Sequence, residues 1–579
     1  MKKMLFTLLV VLNFIHVVAQ KPDFTTEFEK SKGMETATYN ETIAFYKRLA
    51  ETYPSIKVLK QGETDSGKHL HLVLLNPDAN FNLENVRQNK LILFINNGIH
   101  PGEPDGIDAT MMLYRDIAQG KTEMPKHTVL ATIPIYNIGG SLNRNSTSRT
   151  NQNGPAAYGF RGNARNYDLN RDFIKNDTKN AQSFAKIYHY LQPDVFIDNH
   201  VSNGADYQYV LTHLFTQHNK LGGAAGAYLQ DQMMPDMIAS LEKKDYDITP
   251  YVNVFNEVPE KGFSQFYDSP RYSTGYTTLW NTLGMMVETH MLKDYSKRVY
   301  GTYELMQSMI DIIEKDYKKI AEVREATNQY FLNAEIYPIA WEVDKSNHST
   351  LDFKGFEGEK VTSEVTGLQR LKYNRNKPFT KKVNYFDEFK PTKAVTIPEA
   401  YLIPKAYSRV IDLLKLNGVI LTEPQKAEDI SVQVYHIADF TTVGAPYEGH
   451  YLHKNTTVTA SNETIDVDPG NYYLVSTNQP SIRYILETLE PEAADSFFNW
   501  NFFDTILQQK EGFSPYVWED KALEFLNSNP EIKKEFKTKK TNDKEFAKNW
   551  YAQLDWIHKK SPNYEKAHLR YPIYRILKK

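Results

Sequence analysis

Short apolar runs alternate with amphipathic helical patterns along residues 24–330, and this alternation restricts the possible folds more than any other feature of the sequence. The run Leu91–Ile95 is continuous and apolar, as in a strand that is buried on both faces. Apolar residues from Ile107 to Tyr114 then follow at helical spacing. Such alternation predicts an α/β fold with a doubly wound, mixed sheet flanked by helices. Further strands are predicted at 129–136, 194–197 and from 284, and further helices at 181–191 and 303–323.

The pattern changes after about residue 337. Apolar residues alternate from Ile430 to Val434, and two more runs flank the turn Asp468–Asn471, which is typical of antiparallel strands. Helical patterns return after residue 480. We therefore predict an α/β domain at 20–336, a β-rich accessory region at 337–480 and a mainly helical segment at 481–579. We expect the accessory region to pack against the α/β domain or to present substrate to it.

The first 19 residues have the pattern of a secretory signal peptide. Lys2 and Lys3 precede an apolar run that ends at Val18, and Ala19 fits a small-residue cleavage site. The run is short for a membrane span, although an uncleaved anchor is the alternative interpretation. We expect cleavage after Ala19, export to the periplasm or the extracellular space, and no stable membrane span in the processed protein.

The composition excludes several kinds of chemistry. The 579 residues contain no cysteine, so a thiol nucleophile, a thiolate metal site and a disulfide are excluded. Lys and Arg number 68 against 71 for Asp and Glu, a formal charge of −3, which gives no reason to expect nucleic-acid binding. Any metal ion must therefore be held by histidines and carboxylates.

One segment that could hold a metal directly follows the first buried strand. In open α/β sheets, ligands bind beyond the carboxyl ends of the strands. His100 and Glu103 lie three residues apart there, on a turn rich in proline and glycine, and His200 ends a second strand-like run. Two histidines and one carboxylate can hold one zinc ion and leave a position open for water. For His200 alone, the alternative is an ordinary hydrogen-bonded histidine.

A further carboxylate, Glu288, ends a third strand-like run that begins at Gly284. A glutamate within an apolar run is costly to bury unless it has a partner or a chemical task. It could accept the proton of a water molecule activated by zinc and deliver it to a leaving amine. The alternative is a core glutamate paired with an arginine.

The run Asn166–Phe173 offers groups that could bind a carboxylate. Arg171 has a planar guanidinium fork suited to a carboxylate, and Asn170 adds an amide donor. The alternative is a polar helix start with a surface arginine. A dense set of arginines precedes this pair, and one of them could polarise the carbonyl of a scissile bond. The set consists of Arg144, Arg149, Arg161 and Arg165.

Together these residues resemble the zinc carboxypeptidase (funnelin) family of metallopeptidases. The resemblance covers residues 30–320 and rests on four ordered motifs: His100-Pro-Gly-Glu103, Asp168-Leu-Asn-Arg171, Asp198-Asn-His200 and Val287-Glu288. It implies a carboxypeptidase-like sheet, one zinc ion bound by His100, Glu103 and His200, and Glu288 as the general base and acid. It also implies that Asn170 and Arg171 bind the free C-terminal carboxylate of a peptide substrate.

Members of this family also use an arginine to stabilise the oxyanion and a tyrosine that closes over the substrate. For the arginine, Arg149 is preferred here and Arg144 competes with it. For the tyrosine, the resemblance leaves several residues open: Tyr267, Tyr272 and Tyr276. Arg271, in the same stretch, either contacts an acidic substrate or forms a surface salt bridge.

The sequence thus predicts an exported zinc metallocarboxypeptidase. The first alternative is an amidase on the same scaffold that acts on cell-wall peptides or N-acyl amino acids. The second is a non-catalytic protein that binds peptide or glycan. The complete set of His100, Glu103, His200 and Glu288 argues against this second alternative, because a protein without catalysis has no physical need for all four.

The run Gly62–His69 nearly spells a phosphate-binding loop. His69 stands where that loop needs a Ser or Thr for magnesium. The alternating residues that follow it predict a strand instead of the required helix. A hairpin turn is therefore predicted at this position.

Overall fold

The computed structural model of the protein describes residues 22–578. The predicted signal peptide at 1–19 lies outside these residues. Within the described part of the chain, no helix combines the length and the apolar character needed to cross a membrane.

A mixed eight-stranded sheet forms the centre of the α/β part. The strands before residue 336 are β1 (Ile56–Glu63), β2 (His69–Leu75), β3 (Leu91–Asn96), β4 (Thr128–Ile133), β5 (Val195–Ser202), β6 (Leu211–Phe215), β7 (Ile248–Pro250), β8 (Phe263–Ser264) and β9 (Leu283–His290). All except β8 form the sheet, in the order β1-β2-β4-β3-β5-β9-β6-β7. The central strands β4, β3, β5 and β9 are parallel, whereas β1, β2 and β6 run antiparallel to neighbours. The antiparallel pair β1–β2 confirms the predicted hairpin.

Helices flank this sheet, as predicted. They are α1 (Glu27–Lys30), α2 (Tyr39–Thr52), α3 (Leu83–Val86), α4 (Asp105–Ala118), α5 (Ile138–Leu142), α6 (Lys179–Leu191), α7 (His218–Leu221), α8 (Gly223–Tyr228), α9 (Met234–Glu242), α10 (Ser273–Thr277) and α11 (Tyr295–Leu332). Helices α4 and α11 pack against each other and reach β5 and β3, while α6 packs on β1 and β2. Helix α11 begins at Tyr295, earlier than the predicted residue 303. The sequence pattern missed its first turns because the buried Arg298 interrupts their apolar periodicity.

The part after residue 335 is rich in antiparallel strands, as predicted. Its elements are β10 (Ile336–Val343), β11 (Ser349–Thr362), β12 (Gln369–Phe386), β13 (Phe389–Thr396), β14 (Ala400–Pro404), α12 (Ser408–Leu416), β15 (Glu428–Thr442), β16 (His453–Val467) and β17 (Tyr472–Ser476). The C-terminal elements are α13 (Ile482–Leu489), α14 (Pro515–Ser528), α15 (Pro530–Asn542), α16 (Lys544–Lys548), α17 (Trp550–Lys560) and β18 (Tyr574–Ile576). Strand β18 pairs with β14 and β15, so the end of the chain returns to the accessory sheet.

The accessory region and the α/β part share one hydrophobic core. A single cluster of buried apolar residues includes strand β3 and also helix α13. Trp280 stacks on Tyr484 with 5.3 Å between ring centres. The buried Arg483 donates hydrogen bonds to the carbonyl oxygen of Leu221 and to the amide oxygen of Asn281. The expected packing between the two parts is therefore confirmed.

Candidate active site

Three neighbouring parallel strands bring the predicted site residues to one edge of the sheet. In the register of the sheet, His200 on β5 lies directly beside Glu288 on β9, and Asn96 at the end of β3 lies beside Asp198. The turn with His100 and Glu103 begins four residues after β3 ends. Because parallel strands present their carboxyl ends on the same side, residues far apart in sequence meet here.

His100, Glu103 and His200 converge on one point. The Nδ1 atoms of His100 and His200 lie 3.3 and 3.2 Å from Oε2 of Glu103. One ligand atom from each of the three residues falls within 4.8 Å of the others, and all three side chains are buried. The backbone N–H of Glu103 donates to the carbonyl of His100 at 2.8 Å, which fixes the tight turn between them.

A second carboxylate orients each imidazole. Nε2 of His100 lies 2.9 Å from Oδ1 of Asp168, and Nε2 of His200 lies 3.0 Å from Oδ2 of Asp198. Both Nδ1 atoms therefore face the common point. Histidines that bind metals typically direct the other ring nitrogen to a carboxylate in this way. The donor set of two imidazoles and one carboxylate thus fits a metal ion.

Charge holds Glu103 in its ionised form. Burial raises the pKa of this carboxyl, but the guanidinium of Arg149 and the nearby imidazoles outweigh burial and hold the pKa well below its usual range. Nη1 of Arg149 lies 2.7 Å from Oε1, while the backbone N–H of Val201 donates to Oε2 at 3.0 Å. An ionised carboxylate is the form that a metal ion requires.

Glu288 lies in the same cavity as the three candidate ligands. Burial raises the pKa of Glu288 to about 7; the negative Glu103 adds to this rise, and His200 and Arg161 oppose it. A carboxyl whose pKa lies near neutrality can both accept and release a proton at physiological pH.

The cavity has a volume of about 440 Å³ and combines charged and apolar walls. Besides the four residues above, its polar lining includes Arg161, Asn170, Arg171, Tyr251 and Tyr272. Its apolar lining includes Val201, Leu214, Phe255, Phe266 and Met286. A mixture of this kind is typical of sites that bind small organic ligands.

Asn170 and Arg171 both reach the cavity from one short helical turn. The side chain of Asp168 accepts the N–H of Asn170 at 2.9 Å and so begins the turn. The guanidinium of Arg171 lies over the ring of Tyr272, 4.5 Å from its centre. This stacking holds the guanidinium at the wall of the cavity.

Arg149 and Arg144 do not line the cavity. Arg149 is bound to Glu103, and Arg144 donates to the carbonyl oxygens of Thr36 and Ala157 at 3.3 and 3.0 Å. Arg161 is the arginine of this set that does line it. Its Nε lies 2.9 Å from Oδ2 of Asp168, and its Nη1 lies 3.6 Å from Oε1 of Glu103.

Tyr267 and Tyr276 also lie outside the cavity. The hydroxyl of Tyr276 is buried in the core and donates to the amide oxygen of Asn417 at 2.6 Å. Tyr267 stacks on Phe389, and its hydroxyl lies 3.3 Å from Nζ of Lys220. Among the residues that the structure describes, two tyrosines line the cavity: Tyr272, which was a candidate from the sequence, and Tyr251, which was not.

Arg271 forms a buried ion pair with the C-terminal segment. Its Nε and backbone N–H donate to the carboxylate of Asp495 at 2.7 and 2.9 Å, and Asp495 is fully buried. Its guanidinium also lies over the rings of Tyr447 and Trp500. This ion pair thus links the segment that carries the cavity residue Tyr272 to the C-terminal segment of the chain.

Other residues of the site were not assigned from the sequence. Asp168 and Asp198 stand within the quoted motifs, but only their distances to the imidazoles reveal what they do. For Asp198 a signal exists, because it precedes His200 by two residues on a strand and must share its face. For Tyr251 the sequence carries no comparable signal.

Comparison with known proteins gives relatives of low identity that match over most of the chain. No protein-family model matches. Carboxypeptidase 2 of Trichophyton rubrum is 20% identical over 506 residues, which cover 83% of this chain and 87% of that protein. Carboxypeptidase 2 of Trichophyton equinum is 21% identical over 512 residues, with the same shares covered. The covered share exceeds the part before residue 337, so the likeness extends into the accessory region.

Solved structures also align with about half of the chain. A metallo-carboxypeptidase from Burkholderia cenocepacia is 15% identical and aligns with 49% of this chain and 70% of its own, at a TM-score of 0.37. Carboxypeptidase A from Helicoverpa armigera is 13% identical and aligns with 50% and 74%, at a TM-score of 0.35. At these TM-scores the fold assignment rests on the strand order of the sheet.

The curated relatives confirm the predicted resemblance to carboxypeptidases. They also support the prediction that the chain is a metallopeptidase enzyme, and the buried His-Glu-His group is consistent with a metal site.

The raised pKa of Glu288 predicts how the stability of the metal-free protein depends on pH. Because the folded pKa of about 7 exceeds the ordinary 4.5, the neutral carboxyl contributes stability below pH 4.5 that is lost as the pH rises through 7. Glu288→Gln lacks this loss. The free energy of unfolding of Glu288→Gln, relative to that of the parent, should therefore rise by roughly 2–3 kcal/mol from about pH 5 to pH 8.5.

Urea unfolding of both proteins in the presence of a chelator would measure this difference. The exposed Glu428, which pairs with Lys426 at 3.4 Å, provides the control substitution Glu428→Gln. A Glu288→Gln difference that does not change with pH would show that the pKa of Glu288 in the folded protein is not raised above its ordinary 4.5.

Proposed function

We propose that this protein is an exported zinc metallocarboxypeptidase that removes C-terminal residues from peptides. The observation that carries the proposal is the buried group of His100, Glu103 and His200 in one cavity with Glu288 and Arg171. The names of the curated relatives agree with this activity. We further propose that the catalytic domain spans 20–336, with the β-rich region at 337–480 and the mainly helical segment at 481–579 attached to it.

We propose that His100, Glu103 and His200 hold one zinc ion. A zinc ion bound by such ligands supplies Lewis-acid polarisation of a carbonyl and a lowered pKa of water. The carboxylates of Asp168 and Asp198 keep both imidazoles turned toward the ion. Neutral imidazoles and an ionised Glu103 are the ligand forms needed.

Glu288 is proposed as the group that moves the proton. Its carboxylate would take a proton from the attacking water and pass it to the nitrogen of the leaving residue. Burial supports this assignment, because it brings the pKa of Glu288 to about 7. General acid–base catalysis of this kind contributes about 10²–10⁴-fold to the rate.

The terminal carboxylate of the substrate would bind to Arg171 and Asn170. Arg171 is stacked on Tyr272, so little side-chain entropy is lost when its planar fork binds a carboxylate. This requirement for a free carboxylate is what makes the enzyme an exopeptidase in our proposal.

Arg161 is proposed to stabilise the oxyanion, in place of Arg149. Arg161 lines the cavity, Asp168 holds its Nε, and its Nη1 lies 3.6 Å from Oε1 of Glu103. Arg149 is committed to Oε1 of Glu103 at 2.7 Å, so it supports a metal ligand. Tyr251 is proposed as the tyrosine that closes over the substrate, because it lines the cavity. Burial and the nearby charge of Glu288 both raise the pKa of its hydroxyl.

The cavity lining also supports a preference for apolar C-terminal side chains. Leu214 and Met286 are cross-strand partners, and Met286 lies two residues before Glu288, so all three share one face of the sheet. Every charged residue in the lining already has a place in the proposed mechanism. Within the described lining, no charged residue is left to neutralise a charged substrate side chain.

Glu288→Gln should remove turnover and leave zinc bound. The amide keeps the shape of the side chain but cannot accept the proton, so kcat should fall by about 10²–10⁴-fold. Zinc content would be measured by atomic absorption and turnover with a peptide substrate. As a control, Glu304→Gln changes a glutamate on α11 that pairs with Lys244 and should have no effect. Near-normal turnover by Glu288→Gln would refute the mechanism.

Blocking the substrate C-terminus should stop cleavage. A peptide with a C-terminal amide cannot pair with Arg171, so its kcat/KM should fall by at least about 10²-fold, as expected when a charge-assisted bidentate contact is lost. A peptide library digested with and without chelator, and read by mass spectrometry, would show which residues leave and from which end. Equal cleavage of free and amidated peptides would favour the amidase alternative.

Peptides ending in Phe or Leu should be cleaved faster than those ending in Lys or Glu. Burying an unpaired charge beside Leu214 and Met286 costs several kcal/mol, so kcat/KM should differ by at least about 10²-fold. Leu214→Asp should narrow the difference for Lys specifically, because it places a carboxylate on that wall. Leu523→Asp, at an exposed leucine far from this wall in sequence, serves as the control. Faster release of charged than of apolar C-terminal residues by the parent would contradict the assignment of this wall.

A further inference from the structure

A loop of the accessory region lies against the candidate active site. The loop joins β15 to β16 and contains the turn Tyr447–His450, which we call the strap. Tyr447 and His450 exchange backbone hydrogen bonds of 2.7 and 3.1 Å, which close the turn. The strap reaches the segment around Asp168, which is 280 residues away in the sequence from Glu448.

The strap is attached to the catalytic part at both of its ends. Nε2 of His450 lies 2.6 Å from Oδ2 of Asp177. The ring of Tyr447 lies under the guanidinium of Arg271, 5.6 Å from ring centre to guanidinium carbon. Between them, Gly449 packs so closely that a Cβ atom there would lie 2.5 Å from the hydroxyl oxygen of Tyr167. These contacts leave the strap little freedom to shift.

The conformation of Glu448 in the strap is unusual. Its φ angle is +49°, and that of Gly449 is +80°. Turns with two left-handed central residues normally place Asn, Asp or Gly at the first position. A side chain as long as glutamate is disfavoured there, and such backbone strain persists only where the surroundings hold it. Strained residues of this kind are concentrated at functional sites.

The carboxylate of Glu448 explains what the strap holds. Its Oε2 accepts the backbone N–H of Asp168 at 2.8 Å. Asp168 in turn holds Nε2 of His100 with Oδ1 and Nε of Arg161 with Oδ2, both at 2.9 Å. One hydrogen bond from the accessory region therefore fixes the residue that orients both a candidate metal ligand and a cavity arginine.

We propose that Glu448 is a positioning residue of the active site, which acts through Asp168 to hold His100 and Arg161 in their working orientations. The inference rests on the proposed zinc site and adds the accessory region to it. What Glu448 supplies is an acceptor oxygen at a defined place, since its partner is a neutral N–H group.

Two substitutions separate the position of this oxygen from its charge. Glu448→Asp keeps the charge but shortens the side chain by one methylene, so its oxygens no longer reach the N–H of Asp168. Asp also tolerates the left-handed conformation better than Glu, so this variant is expected to fold. Glu448→Gln loses the charge but keeps an amide oxygen within reach.

Zinc affinity, measured by competition with a chromophoric chelator, is the main readout, and kcat/KM is the second. Glu448→Asp should lose about 10–100-fold in both, as expected when a group supporting a metal ligand is lost. Glu448→Gln should stay within a few-fold of the parent. Thermal unfolding should place both variants close to the parent, which separates a positioning effect from a loss of the fold.

Glu423 provides the matched control. It is an exposed glutamate of the accessory region that pairs with Lys405 at 2.7 Å, and Glu423→Asp and Glu423→Gln should leave both readouts unchanged.

Failure of this inference is distinguishable from failure of the proposed function. If the parent binds no zinc, the proposed function fails and this inference falls with it. If the parent binds zinc and Glu448→Asp binds it equally well, only this inference is overturned. An equal loss in Glu448→Gln and Glu448→Asp also overturns it, because Glu448→Gln keeps an acceptor oxygen within reach of Asp168 and should then bind zinc nearly as well as the parent.

Discussion

The parallel register of β3, β5 and β9 is the constraint on which the site depends. It brings three strand ends to one edge, so that the turn after β3, His200 on β5 and Glu288 on β9 face the same space. A slip of one residue in a strand would turn its side chains to the opposite face. The hydrophobic strands therefore determine the geometry of the polar site, because their burial on both faces specifies the register.

The concentration of charge at this edge is tolerated because its ionised carboxylates have cationic partners. Taking an unpaired ion out of water costs several kcal/mol, and removing one partner of a buried pair is strongly destabilising. Glu103 is paired with Arg149, and Asp168 with Arg161. Glu288 forms no ion pair with any residue that the structure describes, and its pKa is raised instead. The same physical rule thus separates carboxylates that stay ionised from the one suited to proton transfer.

The arginines and tyrosines of the site show where sequence reasoning stops. Arg144, Arg149 and Arg161 all lie in a stretch with little regular structure, where no periodicity indicates the direction of a side chain. Arg161 reaches the cavity because of its bond to Asp168, which is a tertiary contact. Tyr276 is close in sequence to the cavity residue Tyr272, but a short helix directs its side chain into the core. The contact of Glu448 with Asp168 spans two regions of the chain and has no local signal.

Local sequence patterns are sufficient to predict the α/β order of strands and helices, the ligand types available to a metal, and the positions of His100, Glu103, His200 and Glu288 at or just beyond strand ends. These follow from local periodicity and from the ligand chemistry of histidines and carboxylates, the side chains that remain for a metal ion in a cysteine-free chain. Tertiary contacts determine which arginine and which tyrosine face the cavity, and they bring the accessory region to the site. Those choices depend on packing and hydrogen bonds between distant segments, whose free energies are not encoded in any short stretch of sequence.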